Sequence, residues 1–301
     1  MTLWVADRAH PDNEPFFRAC AGLDFGLQAV KADSGFDFGF QTTMKAVPFP
    51  LGKADGVWIR LDHPVPDDFL SSLRTFFTEK PIVNDPQGLI RTASKAHLIE
   101  IAQALPGMAP YLTPMKLCHT ADDIVLFRDT HPDMVLKGLR GYGGKDVVRF
   151  RQPPHKTDIY TLEEAEIFMK ARDGVLAVPY LDPPGGQSDK RIVVCDGVTL
   201  GAVSRMPREG DWRAKISIGA SVQSAVPTPA EQDMVFLLDP WLRAMGIFLY
   251  GIDTLADNED GRVLSEVNTL NVGMIRFIET HTGRPVIRDC AFLLARRLLG
   301  A

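Results

Sequence analysis

What this chain has little of narrows its chemistry before any motif is considered. Four cysteines occur in 301 residues, Cys20, Cys118, Cys195 and Cys290, far apart and without a C-x-x-C pair or a His-x-x-x-His partner. That spacing argues against a disulfide framework and a zinc site and leaves buried thiols in a reducing compartment. No apolar run approaches the ~18 residues of a membrane span, and "MTLWVADRAHPDNEPFF" lacks a charged segment followed by an apolar one. A cytoplasmic protein without membrane partners is expected. Lys and Arg form no basic runs and the net charge is -5, so a nucleic-acid partner is not expected. G-x-S-x-G is missing, and none of the seven histidines has the spacing of a relay, so a Ser or Cys nucleophile has little support.

The remaining composition is ordinary. With 45% hydrophobic and 24% charged residues, the chain can bury a sizeable core, and about 150 residues per domain suggests two units or more. "GVWIRLD" (56–62) and "KPIVND" (80–85) resemble strands flanking a helix in "PVPDDFLSSLRTFFTE", a βαβ-like unit that leaves Arg60 at a strand's carboxyl end, where α/β sheets bind ligands. A helix is expected from Ser94 to Leu105, capped by Ser94 or Thr92, and another near 120–129. "DMVLK" and "VVRFR" read as strands around the glycine-rich "GLRGYGGKD". Asp196-Gly197 marks a tight hairpin, Thr228-Pro229 starts a helix that Pro240 should kink or interrupt, and Gly246 ends it. "IFLYGID" and "RVLSEVN" are a strand pair joined by "LADNEDG", and an amphipathic helix closes the chain. The class is α/β (α+β), with element order suggesting units 1–90, 91–180 and 181–301.

Three constellations could carry chemistry. The loop Gly138 to Lys145 is neither G-x-x-x-x-G-K-[ST] nor G-x-G-x-x-G. It reads as a plain hairpin or as a phosphate flap, and Lys137 at the end of an apolar strand favours the flap. On "LSEVN", Glu266 and Asn268 are two residues apart and share a strand face. If 257–261 makes the turn, Asp253 falls opposite Glu266 within about one residue. Such hard oxygen donors suit Mg²⁺. Arg191 and Arg205 lie on the two strands of the Asp196-Gly197 hairpin and Arg213 follows; guanidinium groups suit phosphate and carboxylate. Tyr142 and Trp212 could stack on a ligand or pack on neighbours.

In order and spacing, "IVNDPQGLIRTASKAHL", "MVLKGLRGYGGKDVVRF", "SDKRIVVCDGVTLGAVSRMP", "GIFLYGID" and "VLSEVNTLNVGMIRFIE" resemble the ATP-grasp superfamily, and within it the prokaryotic glutathione synthetases. The resemblance runs from Gly56 to the C-terminus. It implies an N-terminal α/β substrate domain, a central lid and a C-terminal mixed-sheet domain. It also implies an ATP-dependent ligase that phosphorylates a carboxylate and lets an amine displace the phosphate. By the same resemblance, Lys95 and Lys137 contact the ATP phosphates under a flap of Gly141, Gly143 and Gly144. Arg191, Arg205 and Arg213 bind phosphate and acyl phosphate. Asp253, Glu266 and Asn268 hold two Mg²⁺ ions, with Mn²⁺ an alternative. Arg60 holds the substrate's other carboxylate, and Asn271 and Gly273 lie by the acceptor amine. Small-molecule substrates and a homo-oligomer are further expectations.

Two departures bear on specificity. The relatives' flap commonly reads Lys-Pro-Leu-Asp-Gly, whereas this chain has Lys137-Gly138-Leu139-Arg140-Gly141, reversing a charge. After Asn268 it has Leu270-Asn271-Val272-Gly273 in place of a Ser-Pro turn, which leaves the acceptor open. Two alternatives remain: a ligase that modifies a larger peptide or protein end, and an ATP-binding module without catalysis.

Overall fold

The computed structural model describes residues 2–6, 14–21, 28–31, 56–61, 65–140, 146–151, 158–159, 161–183, 189–214, 216, 219–259 and 261–299. Among these, three sheets organise the chain. The first is parallel, in the order β2-β1-β3-β4, from β1 (Thr2–Ala6), β2 (Gln28–Lys31), β3 (Gly56–Ile59) and β4 (Ile82–Val83). Helix α1 (Glu14–Ala21) follows β1, and α2 (Asp67–Phe76) makes the expected βαβ crossover between β3 and β4. Next come α3 (Pro86–Thr92), capped by the Asp85 side chain, and α4 (His97–Ala104). Helix α4 starts later than Ser94: the Ser94 hydroxyl accepts from the Ala96 N–H at 3.3 Å in the turn before it, and Thr92 is not its cap. The Thr92 hydroxyl instead bonds the Gly88 carbonyl at 2.8 Å and the Thr269 hydroxyl at 2.7 Å.

The second sheet is antiparallel, β5-β8-β6-β7. It comprises β5 (Lys116–Cys118), β6 (Met134–Gly138), β7 (Val147–Phe150) and β8 (Val175–Pro179), with α5 (Ala121–Thr130) and α6 (Leu162–Lys170) covering its core. Both helices begin with a Thr capping box, which satisfies backbone N–H groups the helix cannot.

The third and central sheet has the order β11-β10-β9-β12-β13, all antiparallel. Its strands are β9 (Asp189–Cys195), β10 (Val198–Met206), β11 (Ser221–Ala225), β12 (Leu249–Ala256) and β13 (Arg262–Asn268). Asp196 and Gly197 both adopt positive φ, 48° and 79°, the geometry of the expected two-residue hairpin. Between β11 and β12 runs α7 (Pro229–Ala244). Pro240 does not interrupt it, because the segment stays helical over all 16 residues. Gly246 ends the turn after it at φ 73°, where a Cβ would lie 2.5 Å from the Asp85 Cβ. Helices α8 (Ile275–Thr282) and α9 (Val286–Leu299) complete the chain.

Strand alternation divides the central sheet. Along β9, Ile192 and Val194 join the core under α7, while Val193 and Cys195 join the core under α8 and α9. Asp189 and Arg191 share the face of Val193 and Cys195. That face is apolar at one end and charged at the other, and the charged end opens on a cleft.

Candidate active site

The charged end of that face is a row across four strands. Arg205 on β10 pairs in register with Asp189 on β9, Arg191 on β9 with Asp253 on β12, and Asp253 with Glu266 on β13. The expected alignment of Asp253 and Glu266 is met without a shift, and a bulge follows immediately. Asn268 stands two residues on, opposite Gly251. Gly251 is required here, since a Cβ would lie 2.8 Å from the Arg191 Cδ.

The row is tightly connected. Arg191 donates through Nε and Nη2 to the two Asp253 oxygens, the second at 2.7 Å. Arg205 Nη2 lies 2.6 Å from Asp189 Oδ1 and 3.0 Å from Asp253 Oδ1. Burial works against the Arg205 charge, but Asp253 and Asp189 outweigh it and raise its pKa above the ordinary guanidinium value. Asn268 Nδ2 is 3.5 Å from Asp253 Oδ2. Lys95, buried just before α4, reaches Glu266 Oε1 at 3.3 Å, and Lys137 on β6 donates to the Ser265 hydroxyl at 3.0 Å. The central sheet thus meets the small sheet through a lysine, and the Lys95 backbone N–H bonds the Leu139 carbonyl at 2.8 Å.

Between these sheets lies a cleft. Its lining combines apolar side chains, among them Met115, Val135, Val178, Leu181 and Leu264, with Lys95, Lys137, Asp253 and Glu266. Trp212 and Tyr180 form part of its wall and pack edge to face, with ring centroids 5.9 Å apart, so Trp212 packs on a neighbour. Two carboxylates in register and an amide two residues on provide the hard oxygens that a small divalent cation requires. Both carboxylates now hold cations of the chain, so a metal would compete with Lys95 at Glu266 and with the arginines at Asp253.

Other expected residues are elsewhere. Arg213 lines the cleft, but its guanidinium forks onto Asp211 at 3.0 and 2.9 Å, outside the Arg191–Arg205 row. Arg60 is buried near the Phe16 and Trp58 rings, and its Nη1 donates to the Val272 carbonyl at 3.2 Å. It therefore supports the 270–273 segment from behind and does not line the cleft. In that segment Asn271 has φ 43° and Met274 φ 76°, left-handed conformations rare outside glycine, and the Cα hydrogen side of Gly273 faces open space. Gly141, Gly143 and Gly144 lie outside the described residues, as does Tyr142.

Some contributors escaped the sequence reading. Asp189 was visible in "SDKR": two residues before Arg191, it had to share the arginine's face. Glu231 had a signal in Thr228-Pro-Ala-Glu231, a capping box. Asn84 had none. Its amide donates to the Leu249 and Thr269 carbonyls at 2.6 and 2.7 Å and accepts from the Phe248 and Leu249 N–H groups, tying β4 to β12 and to the end of β13.

Residues 104–283 match the model of the prokaryotic glutathione synthetase ATP-grasp domain. Glutathione synthetase of Parasynechococcus marenigrum is 28% identical over 242 residues, covering 78% of this chain and 73% of that protein. That of Bradyrhizobium diazoefficiens is 29% identical over 233 residues, 76% and 68% respectively. The crystal structure of the D-cycloserine synthetase DcsG superimposes with TM-score 0.70 at 15% identity, covering 99% of this chain and 100% of that one, which shows a shared fold. The chain belongs to the ATP-grasp family of prokaryotic glutathione synthetases and is an ATP-dependent ligase that forms carbon–nitrogen bonds.

Proposed function

We propose that the chain joins a small carboxylate to a small amine through an acyl phosphate, releasing ADP and phosphate. The observation that carries this reading is a cleft lined by Lys95, Lys137, Asp253 and Glu266 together with apolar side chains, in which Asp253 is bound from behind by Arg191 and Arg205. The apolar lining suits a purine base. Lys95 and Lys137 would take phosphate oxygens, and the 141–144 glycines would cover them. Arg191 and Arg205, fixed by Asp253 and Asp189, would hold the carboxylate and the phosphoryl group it receives. Asp253, Glu266 and Asn268 would hold Mg²⁺, two ions by resemblance, which neutralises phosphate charge when bound. Phosphoryl transfer depends on positioning and charge neutralisation and needs no side-chain nucleophile, in keeping with the sequence.

Substrate-stimulated ADP release tests the reading, measured with Mg²⁺ and a panel of γ-glutamyl dipeptides, amino acids and amines. Mg²⁺-dependent release with one carboxylate–amine pair is expected. Tight ATP binding without turnover across the panel would favour the non-catalytic module instead.

A further inference from the structure

Strand β13 changes sides part-way along. Its partner β12 alternates without a break: Ile252 joins the core that α7 covers, Thr254 reaches Glu231 of α7 at 2.5 Å, and Asp253 between them meets Arg191 and Arg205. On β13, Arg262 also reaches Glu231, at 3.0 Å. Residues two apart share a strand face, so an unbroken count from Arg262 would turn Glu266 and Asn268 towards α7 as well. The pairing breaks that count. Thr254 pairs with Leu264 and Asp253 with Glu266, and the register skips Ser265 between them. A bulge of one extra residue shifts the alternation by one and re-aims the side chains around it. Arg262 therefore stays with Glu231, while Glu266 and Asn268 turn to the face of Asp253.

The bulged residue itself lines the cleft. The Ser265 hydroxyl accepts from Lys137 Nζ at 3.0 Å, and the Ser265 carbonyl lies 3.4 Å from the same ammonium. Lys137 belongs to β6 of the small sheet, 128 residues earlier in the chain, so the contact joins the two sheets that enclose the cleft. Both Ser265 oxygens are neutral. They fix the end of a long flexible side chain without cancelling the charge that a phosphate would use. Lys95 differs in this respect, because its ammonium meets the Glu266 carboxylate at 3.3 Å.

We propose that Ser265 is a positioning residue for the nucleotide, its hydroxyl holding the Lys137 ammonium where the ATP phosphates bind. The inference rests on the reading above in which Lys137 takes phosphate oxygens. Ser265 acts through Lys137 and not by its own contact with the phosphates.

Calorimetric binding of ATP with Mg²⁺ tests this in the wild type, Ser265→Ala, Ser265→Thr, Lys137→Met and the double variant Ser265→Ala/Lys137→Met. Ser265→Ala should weaken binding about 10-fold, the size of a lost hydrogen bond to a charged group. Ser265→Thr keeps the hydroxyl and should stay within about threefold of the wild type by the same reasoning. In the Lys137→Met background, adding Ser265→Ala should weaken binding by less than about twofold, because the group it positions is gone. Equal losses in both backgrounds would assign the effect to a disturbed bulge, and no loss in Ser265→Ala would remove the role; either result overturns the proposal. Should Ser265→Ala not fold, Ser265→Thr and Ser265→Val decide, since the two substitutions match in shape and differ in the hydroxyl. Weaker binding by Ser265→Val supports the proposal and equal binding overturns it. ATP binding by Lys137→Met as tight as that of the wild type overturns the phosphate role of Lys137 itself, and no binding by the wild type overturns the nucleotide reading of the cleft.

Discussion

Two polar clusters are built on the same pair of strands, one on each face of the central sheet. On β9 the neighbours Lys190 and Arg191 point to opposite faces, and on β12 Thr254 and Asp253 do the same. Under α7, Glu231 is fully buried. It accepts from Lys190 Nζ at 2.7 Å and the Thr228 N–H at 2.8 Å on one oxygen, and from Thr254 Oγ1 at 2.5 Å and Arg262 Nε at 3.0 Å on the other. Facing the cleft, Asp253 also holds two cations, but its neighbour Glu266 opens to two cavities. The Glu231 carboxylate is fully buried with two donors on each oxygen. The Asp253 row has the same kinds of group with one edge exposed. What separates a structural ion cluster from a site here is access rather than residue type.

The largest expected effect is on that open edge. Glu266→Gln keeps the shape and removes one charge, and turnover should fall about 100- to 1000-fold, as when a group that stabilises developing charge is lost. Its pair with Lys95 is largely buried, 8% and 20% exposed, so losing the charge should also cost about 1–3 kcal/mol of stability. Steady-state ADP release and denaturant unfolding measure the two. A variant that turns over normally would show that the row is structural on both faces.

Glu231→Gln should do the reverse. It leaves Lys190 and Arg262 in a buried site without their countercharge, a change that costs about 3–5 kcal/mol. Turnover per folded molecule should stay within about twofold. A midpoint shift in urea with unchanged slope would report this, and a large loss of turnover in fully folded protein would remove the distinction between the faces.

The sequence exposed one of these clusters and hid the other for a physical reason. Asp253, Glu266 and Asn268 lie on adjacent strands joined by a short turn, so alternation and turn length were enough to bring them together. Arg191 and Arg205 flank a two-residue hairpin and were legible in the same way. Glu231 gathers partners from β9, β12 and β13, and that requires the order of strands in the sheet, which local pattern does not contain. Asn84 is an extreme case, since its partners lie 164 to 185 residues away. Arg60 was expected at a ligand because it ends a parallel strand, and its bond to the Val272 carbonyl ties that strand end to the segment after β13, a long-range contact that strand position alone does not contain. Pro240 was read as a kink or an interruption, and α7 runs through it without interruption.

Acid should sharpen the comparison next. Burial would push the Glu231 carboxyl up, but the Lys190, Thr254 and Thr228 donors outweigh it and hold its pKa below the ordinary glutamate value. A carboxyl depressed in the folded state adds stability that is fully present above its unfolded pKa and is lost as pH falls through the folded one. Unfolding free energy should therefore drop more steeply on the acid side in the wild type than in Glu231→Gln. His97 is also depressed and contributes acid sensitivity, but equally in both proteins, so it cancels from the difference. Parallel curves would mean that Glu231 is not the group being protonated.

The smallest effect concerns a pair that belongs to neither cluster. Arg140, the residue that reverses the expected charge beside the glycine loop, forks onto Asp67 at the start of α2 at 2.8 and 2.7 Å, joining segments 73 residues apart. Both side chains are well exposed, 54% and 38%, so solvent screening should hold the pair to about 0.5 kcal/mol in a double-mutant cycle of Arg140→Ala and Asp67→Ala. Arg140 also lines a small cavity that Lys95 and Glu266 help to wall. A coupling energy of several kcal/mol would instead place this exposed pair among the buried networks of the central sheet, and access would no longer be what distinguishes them.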